Sequence, residues 1–256
     1  WSRQVARLFI NWLSPANGLK WLDVGRGSGA LSEAVINSYE PEKITVIDQP
    51  EDFVAKAQKL LGSLAHCKLG NALALPVGDS SVDITVSGLV LNFISEPKEA
   101  LVEMRRVTAP GGTVALYVWD YAGKMDFLNH FWDVAIKLNP KASELHEGYR
   151  FLNTNAAALK DLYSRVGFEE IKIAPIEIET QFRDFDDDWN PFLGGQGPTP
   201  TYTMSLCKSK RSNLRDALRE QLKSRLDSGE DPLAIMNDVK SAMKIIGDKF
   251  IEKEYF

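Results

Sequence analysis

Little in this chain would tie it to metal, disulfide or membrane chemistry. Only two cysteines, Cys67 and Cys207, occur in 256 residues. Neither has CxxC or HxxxH company, so the sequence predicts buried thiols rather than a zinc site or a disulfide framework. No uninterrupted apolar run reaches the roughly 18 residues that a membrane span requires, and WSRQVARLF lacks the organisation of a signal peptide. The expectation is a cytoplasmic protein without a membrane span, with further residues upstream of Trp1. Cations are not in excess either: 30 Lys and Arg stand against 35 Asp and Glu, for a formal charge of -5. No global basic field draws phosphate backbones, and nucleic acid is not an expected partner. Repeats and low-complexity tracts are missing too. What is present is an ordinary globular balance, 44% hydrophobic and 25% charged, and at roughly 150 residues per domain the length indicates one large domain.

The first half alternates strand and helix signals. Val5, Leu8, Phe9 and Trp12 form an amphipathic stripe that ends before Pro15 and Gly18. Lys20 to Val24 is an apolar run that breaks at Gly25, and Ala30 to Ser38 reads as helix. The β-branched run Lys43 to Ile47 ends at Asp48 and precedes a helix from about Pro50 to Leu61. Cys67 to Leu69 and Val82 to Ser87 are strand candidates, Pro97 to Val107 is a helix, and a turn at Pro110 to Gly112 introduces a strand over Thr113 to Trp119. Such alternation with short loops implies right-handed crossovers and a parallel sheet covered on both faces, a doubly wound α/β fold. The second half is less regular. Helices are expected over Phe127 to Leu138, Asn153 to Val166 and Ser212 to Leu226, and a strand over Glu169 to Phe182. Residues 186–200, rich in Asp, Gly and Pro, read as loop, with its acids solvated, and the tail 232–246 suits helix or strand.

The glycine loop in LDVGRGSGAL carries the clearest chemistry. Gly25, Gly27 and Gly29 let the main chain turn tightly and approach a ligand, and the helix that follows offers free N–H groups. Gly25, Gly27 and Ala30 also satisfy the dinucleotide pattern, and Asp48 at the end of the second strand suits the ribose of any adenosine ligand. Asp23 discriminates between them. A carboxylate at the first strand's tip repels a pyrophosphate and holds a cationic amino group, such as the ammonium of S-adenosylmethionine. A nicotinamide oxidoreductase and a cofactor-binding protein without turnover remain the alternative readings.

The runs WLDVGRGSGAL, VIDQPEDF, LGNALALPVGDSSVDITVSGLVLNFISEP and RVTAPGGTVALYVWD resemble successive motifs of class I S-adenosylmethionine-dependent methyltransferases, of the type 11 or type 25 domain group. The opening WSRQVARLFINWL and the late FRDFDDDWNPFLGGQGPTPTY resemble a small-molecule branch, so the likeness covers most of the chain. It implies a Rossmann-like, mostly parallel sheet of seven strands with one antiparallel member, helices on both faces and a substrate-lid insertion. The tail 232–246 would be the last strand. Residues 1–256 would form one methyltransferase domain: a cofactor-binding half over 1–120, lid and substrate insertions at 121–150 and 186–230, and the C-terminal part of the sheet over 151–185 and 231–256.

By position, the likeness assigns Asp23, Gly25, Arg26, Gly27 and Gly29 to the methionine part of S-adenosyl-L-methionine and Asp48, with Gln49 beside it, to the ribose. Asn71, Ala72 and Leu73 fall to the adenine, and Ser87 and Leu89 lie beside the sulfonium. Arg26 stands where the family usually has a small residue, and Asn71 where it commonly has Asp. Methyl transfer to a small-molecule acceptor would leave S-adenosyl-L-homocysteine. Asp120, Tyr121 and His130, which follow the fifth strand, are the candidate bases. The fourth strand ends in SGLV rather than the Pro-Pro tetrad of DNA amino-methylating enzymes. Phe127, Phe131, Trp189 and Phe192 are expected on a partly mobile aromatic lid, with Phe127, Phe131 and Trp132 serving mainly as packing.

Overall fold

The computed structural model describes residues 1–25, 27, 29–49, 51–121, 123, 125–151, 154–178, 182–194, 197–228 and 241–249. Arg26, Pro50 and the 232–240 part of the predicted last strand lie outside the described residues. In chain order the elements are α1 (Ser2–Leu13), β1 (Lys20–Val24), α2 (Ala30–Ser38), β2 (Lys43–Asp48), α3 (Glu51–Leu61), β3 (Ala65–Leu69), β4 (Val82–Gly88), α4 (Pro97–Val107) and β5 (Thr108–Trp119). There follow α5 (Asp126–Leu138), α6 (Glu147–Arg150), α7 (Ala156–Val166), β6 (Lys172–Ile178), α8 (Phe185–Trp189), α9 (Pro198–Ser205), α10 (Lys208–Asp227) and β7 (Ser241–Lys249). The chain divides into two compact units, one of residues 1–118, 156–176 and 243–256, the other of 119–155 and 177–242.

The first unit is a Rossmann-like α/β sheet. In the strand order β3-β2-β1-β4-β5-β7-β6, the pairs β1·β2, β2·β3, β1·β4 and β4·β5 are parallel. The chain builds outward from β1 to β3 and then returns to the other side of β1 with β4. That reversal opens a crevice outside the carboxyl ends of β1 and β4. Pleating puts Leu22 and Val24 into a core with Leu101, Met104 and Val107 of α4 and Leu159 and Tyr163 of α7. It turns Trp21 and Asp23 to the opposite face of β1. Pro110 to Gly112, expected as a turn before the strand, instead lies inside β5. Pairing passes from Val82↔Thr108 to Ile84↔Thr113 through a register shift, so the turn is absorbed as a bulge.

The second unit packs around aromatic rings. Phe127, Phe131 and Trp132 of α5 share a core with Trp189, Phe192, Tyr202, Leu214 and Leu218. Phe192 stacks on Phe127 at 4.6 Å and meets Phe131 at 4.5 Å between centroids. These rings are 0–7% exposed, which corrects the expectation that Phe127, Phe131, Trp189 and Phe192 form a mobile lid surface. Burying each one stabilises the unit by about 1.5–3 kcal/mol. A buried carboxylate, Glu147, is satisfied inside this unit: the Trp132 indole N–H and, at 2.8 Å, the Thr199 hydroxyl donate to its two oxygens.

Within 186–200, residues 186–189, 190–193 and 198–200 are helical rather than loop. Asp184 caps α8, its Oδ1 accepting the Asp187 N–H at 2.8 Å, so the acids 186–188 occupy a first helical turn where the helix dipole favours them. Pro191 and Pro198 then start a 3-10 turn over Asn190–Leu193 and α9, at first-turn positions whose missing N–H costs nothing. Cys207, expected buried, is exposed just before α10, with its Sγ 3.3 Å from the Ser209 hydroxyl. That hydrogen bond, foremost, holds its thiol below the usual range. Among the described residues no helix is long and apolar enough to cross a membrane.

Candidate functional site

The loop after β1 takes its shape from left-handed glycines. Gly25, Gly27 and Gly29 have φ of 75°, 52° and 81°, a region that only glycine enters freely. At Gly25 space is also decisive, because a Cβ would lie 2.6 Å from both methyls of Val90. The Gly25 N–H donates to Ile47 O at 2.8 Å, which ties the loop to the end of β2.

Asp48, the last residue of β2, is held from two sides. Its Oδ2 accepts the Gly27 N–H at 3.0 Å and its Oδ1 the Gln49 N–H at 2.8 Å. An ionised carboxylate has about four acceptor positions, so two remain for hydroxyls of a ligand. Asn71 is fixed similarly: its Oδ1 accepts the Leu73 N–H at 2.9 Å, and Gly70 N–H donates to Asp48 O at 3.0 Å. A Cβ at Gly70 would press on Pro76 and on Ile47 at 2.7 to 2.9 Å.

These groups surround a cavity of about 330 Å³, at the lower end of the size range of small-molecule sites. It is lined by Gly25, Asp48, Gln49, Asn71, Ala72 and Leu73, six of the residues predicted from sequence, together with Val24, Ile47 and Gly70. Val90, Phe93, Ile94 and Ser95 complete the wall. Sequence reasoning missed those four. They follow β4 through a 3-10 turn over Leu91–Phe93, and the one available signal was the apolar, aromatic run VLNFI directly after a strand end.

The remaining predicted residues take other places. Asp23 is 2% exposed, paired in register with Val46 and Val86, and accepts the Ser32 hydroxyl proton. Ser87 is buried and donates to Val24 O at 2.8 Å, locking β4 to the end of β1. Leu89 sits just past β4 with φ of 63°. In the second unit, Asp120 and Tyr121 are buried, and the Tyr121 ring meets Phe151 at 5.1 Å. His130 Nε2 lies 2.5 Å from Arg225 Nη1. A guanidinium only donates, so Nε2 must be the acceptor and the ring proton sits on Nδ1. His146 caps α6 by accepting the Gly148 N–H at 2.9 Å and stacks on Trp132 and Tyr149. Its burial, above all, holds its pKa below the usual range for histidine.

The site therefore fits an adenosine ligand with an aliphatic cation. A cradle without Cβ atoms meets a carboxylate with free acceptor positions beside an apolar slot, and a buried acid stands one strand residue before the loop. Residues 22–116 match the family described as a methyltransferase domain. The chain is 29% identical over 173 residues to an uncharacterized methyltransferase of Schizosaccharomyces pombe, covering 61% of this chain and 67% of that protein. It is 32% identical over 108 residues to the ubiquinone/menaquinone biosynthesis C-methyltransferase of Roseobacter denitrificans, covering 40% of this chain and 43% of the relative. Its fold is similar to that of phosphoethanolamine N-methyltransferase 2 of Haemonchus contortus in complex with S-adenosyl-L-methionine, with a TM-score of 0.60 at 14% identity over 97% of this chain and 53% of that one. The family match begins within β1 and ends within β5, so it takes in the strands that carry the cavity. On that footing the chain carries, over residues 22–116, a methyltransferase domain with the class I fold, an enzyme domain whose cofactor is S-adenosylmethionine.

Proposed function

We propose that the chain methylates a small-molecule acceptor by in-line displacement, with the cofactor in the cavity at the carboxyl ends of β1 and β2. The observation that carries this reading is Asp48, whose two oxygens are aimed by the Gly27 and Gln49 N–H groups while acceptor capacity remains. When bound, S-adenosylmethionine would supply an activated methyl group for direct transfer to the acceptor. The chain's own residues supply position and desolvation. Asp48 and Gln49 hold the ribose, Asn71, Ala72 and Leu73 the adenine, and Asp23 with the glycine loop the methionine part. Ser87 and Leu89 flank the sulfonium. Asp120 and Tyr121 are the proposed acceptors for a substrate proton. His130 is the weaker member of that set, since Arg225 occupies its Nε2 lone pair.

A small acceptor is favoured by the quinone-biosynthesis relative and by the chain's charge of -5. The proposal includes a seven-stranded sheet with β7 antiparallel, supported by the strand order that continues through β7 to β6. It also includes segments 121–150 and 186–230 as the part that recognises the acceptor, within one domain in the cytoplasm.

Two experiments test this reading. S-adenosylhomocysteine should raise the melting temperature of the chain and NADH should not, because only a ligand of the folded state stabilises it; the reverse pattern would make the protein a nicotinamide-binding oxidoreductase. Asp48→Ala should weaken S-adenosylhomocysteine by about ten- to a hundredfold, the worth of a charge-assisted contact of 1.5–3 kcal/mol. Equal affinity of the parent chain for analogues with and without the ribose hydroxyls would remove Asp48 from the site.

A further inference from the structure

Tyr117, near the end of β5, is built into the tip of β4. It is 2% exposed, and Phe9 of α1 meets its ring edge-on with centroids 4.8 Å apart. The phenol packs directly on Gly88: a Cβ there would collide with the Tyr117 hydroxyl and lie 2.6 Å from Cζ. The main chain makes the same connection, since the Leu89 N–H donates to Tyr117 O at 2.9 Å. Leu89 itself is held in the left-handed region, φ 63°, which a side chain accepts only where its surroundings impose it.

Burial first, and the Asp23 carboxylate second, keep the phenol protonated far above neutral pH. Gly88, on which the phenol oxygen rests, lies between Ser87 and Leu89. A buried, neutral, electron-rich oxygen thus borders the two residues assigned to the sulfonium.

We infer that Tyr117 is a specificity-determining residue for the charge state of the cofactor: its hydroxyl, packed on Gly88, presents oxygen lone pairs to the sulfonium and so favours the charged methyl donor over its neutral thioether product. This rests on the cofactor placement proposed above. Donor and product share ribose, adenine, ammonium and carboxylate, so the contacts of Asp48, Asn71 and Asp23 hold both. The positive charge and methyl group at sulfur distinguish them, and an oxygen set against that atom helps the spent cofactor leave.

The test is calorimetric titration of the full chain with S-adenosylmethionine and with S-adenosylhomocysteine. In Tyr117→Phe the donor should bind about two- to fivefold more weakly, the scale of weak C–H···O contacts, while product affinity stays at the parent's value. Gly88→Ala, whose methyl group displaces the hydroxyl with the phenol still present, should narrow the ratio in the same direction. Parallel loss of both ligands, or an unchanged ratio in both variants, overturns the inference and leaves Tyr117 as packing alone. A parent chain that binds neither ligand overturns the cofactor placement and this inference with it. A parent that binds both, with the ratio preserved in the variants, overturns this inference only.

Discussion

Asp23→Asn should bind S-adenosylmethionine about ten- to a hundredfold more weakly than the parent chain, with the fold kept. Asp23 is 2% exposed in a central strand, and the Ser32 hydroxyl donates to it. Asparagine can still accept that hydrogen bond through Oδ1, so the substitution removes the charge at nearly constant shape. Holding a carboxylate out of water costs several kcal/mol unless a cation or good donors answer it. The ammonium of the cofactor is such a cation. The combined signature is a melting temperature at or above the parent's together with lost affinity, the trade expected where a buried charge serves a ligand rather than the fold. Calorimetric titration with unchanged affinity in a folded variant would remove Asp23 from the site.

The second large effect concerns stability and lies in the other unit. Asp188 on α8 is 8% exposed, and among the described residues its Oδ2 has no hydrogen-bond partner. Burial pushes its carboxyl up to about 7. The sign is the reverse of the usual carboxylate. Because the folded value lies above the unfolded one of 3.8, the folded chain binds the extra proton, and stability falls as pH rises from about 4 to about 7. Above that window the ionised group costs the folded state on the order of 4 kcal/mol. Asp188→Asn cannot ionise, although its buried amide loses about 1–3 kcal/mol for want of a partner. The variant should therefore be the more stable chain at pH 8 and lose that advantage at pH 4 to 5. Urea denaturation at the two pH values decides it; an equal difference at both would show that Asp188 does not titrate in that window.

The parts of the fold that were legible in the sequence are those where local chemistry and tertiary role coincide. Gly25 and Asp48 could be read because a left-handed turn admits glycine and a strand end carries its acid outward. Pro97 to Val107 emerged with its predicted bounds, since Pro at the first helical turn and an apolar stripe both point to one helix. Residues 186–200 misled because Asp, Pro and Gly serve loops and helix starts alike. The deciding residue was Asp184, whose cap turns the acids that follow into a first turn. The aromatics of that stretch suggest a lid when the sequence is read alone, because their partners on α5 are more than fifty residues away in the chain and only packing brings them together. Likewise Val90 and Phe93 join the cavity through a 3-10 turn that no spacing announces. Nothing in the sequence singles out Tyr117, because its pairing with Gly88 across β4 and β5 is a matter of register.

The central claim is that the cavity beside Asp48 holds the cofactor, and amide chemical-shift mapping during titration with S-adenosylhomocysteine tests it most directly. Gly27 and Gln49, which donate to Asp48, and Leu73, which donates to Asn71, report from its walls. Their amide signals should move together and saturate with one dissociation constant, while those of the buried second-unit residues Trp132 and Thr199 stay in place. Saturable shifts confined to residues outside that cavity, with Gly27, Gln49 and Leu73 unmoved, would contradict it.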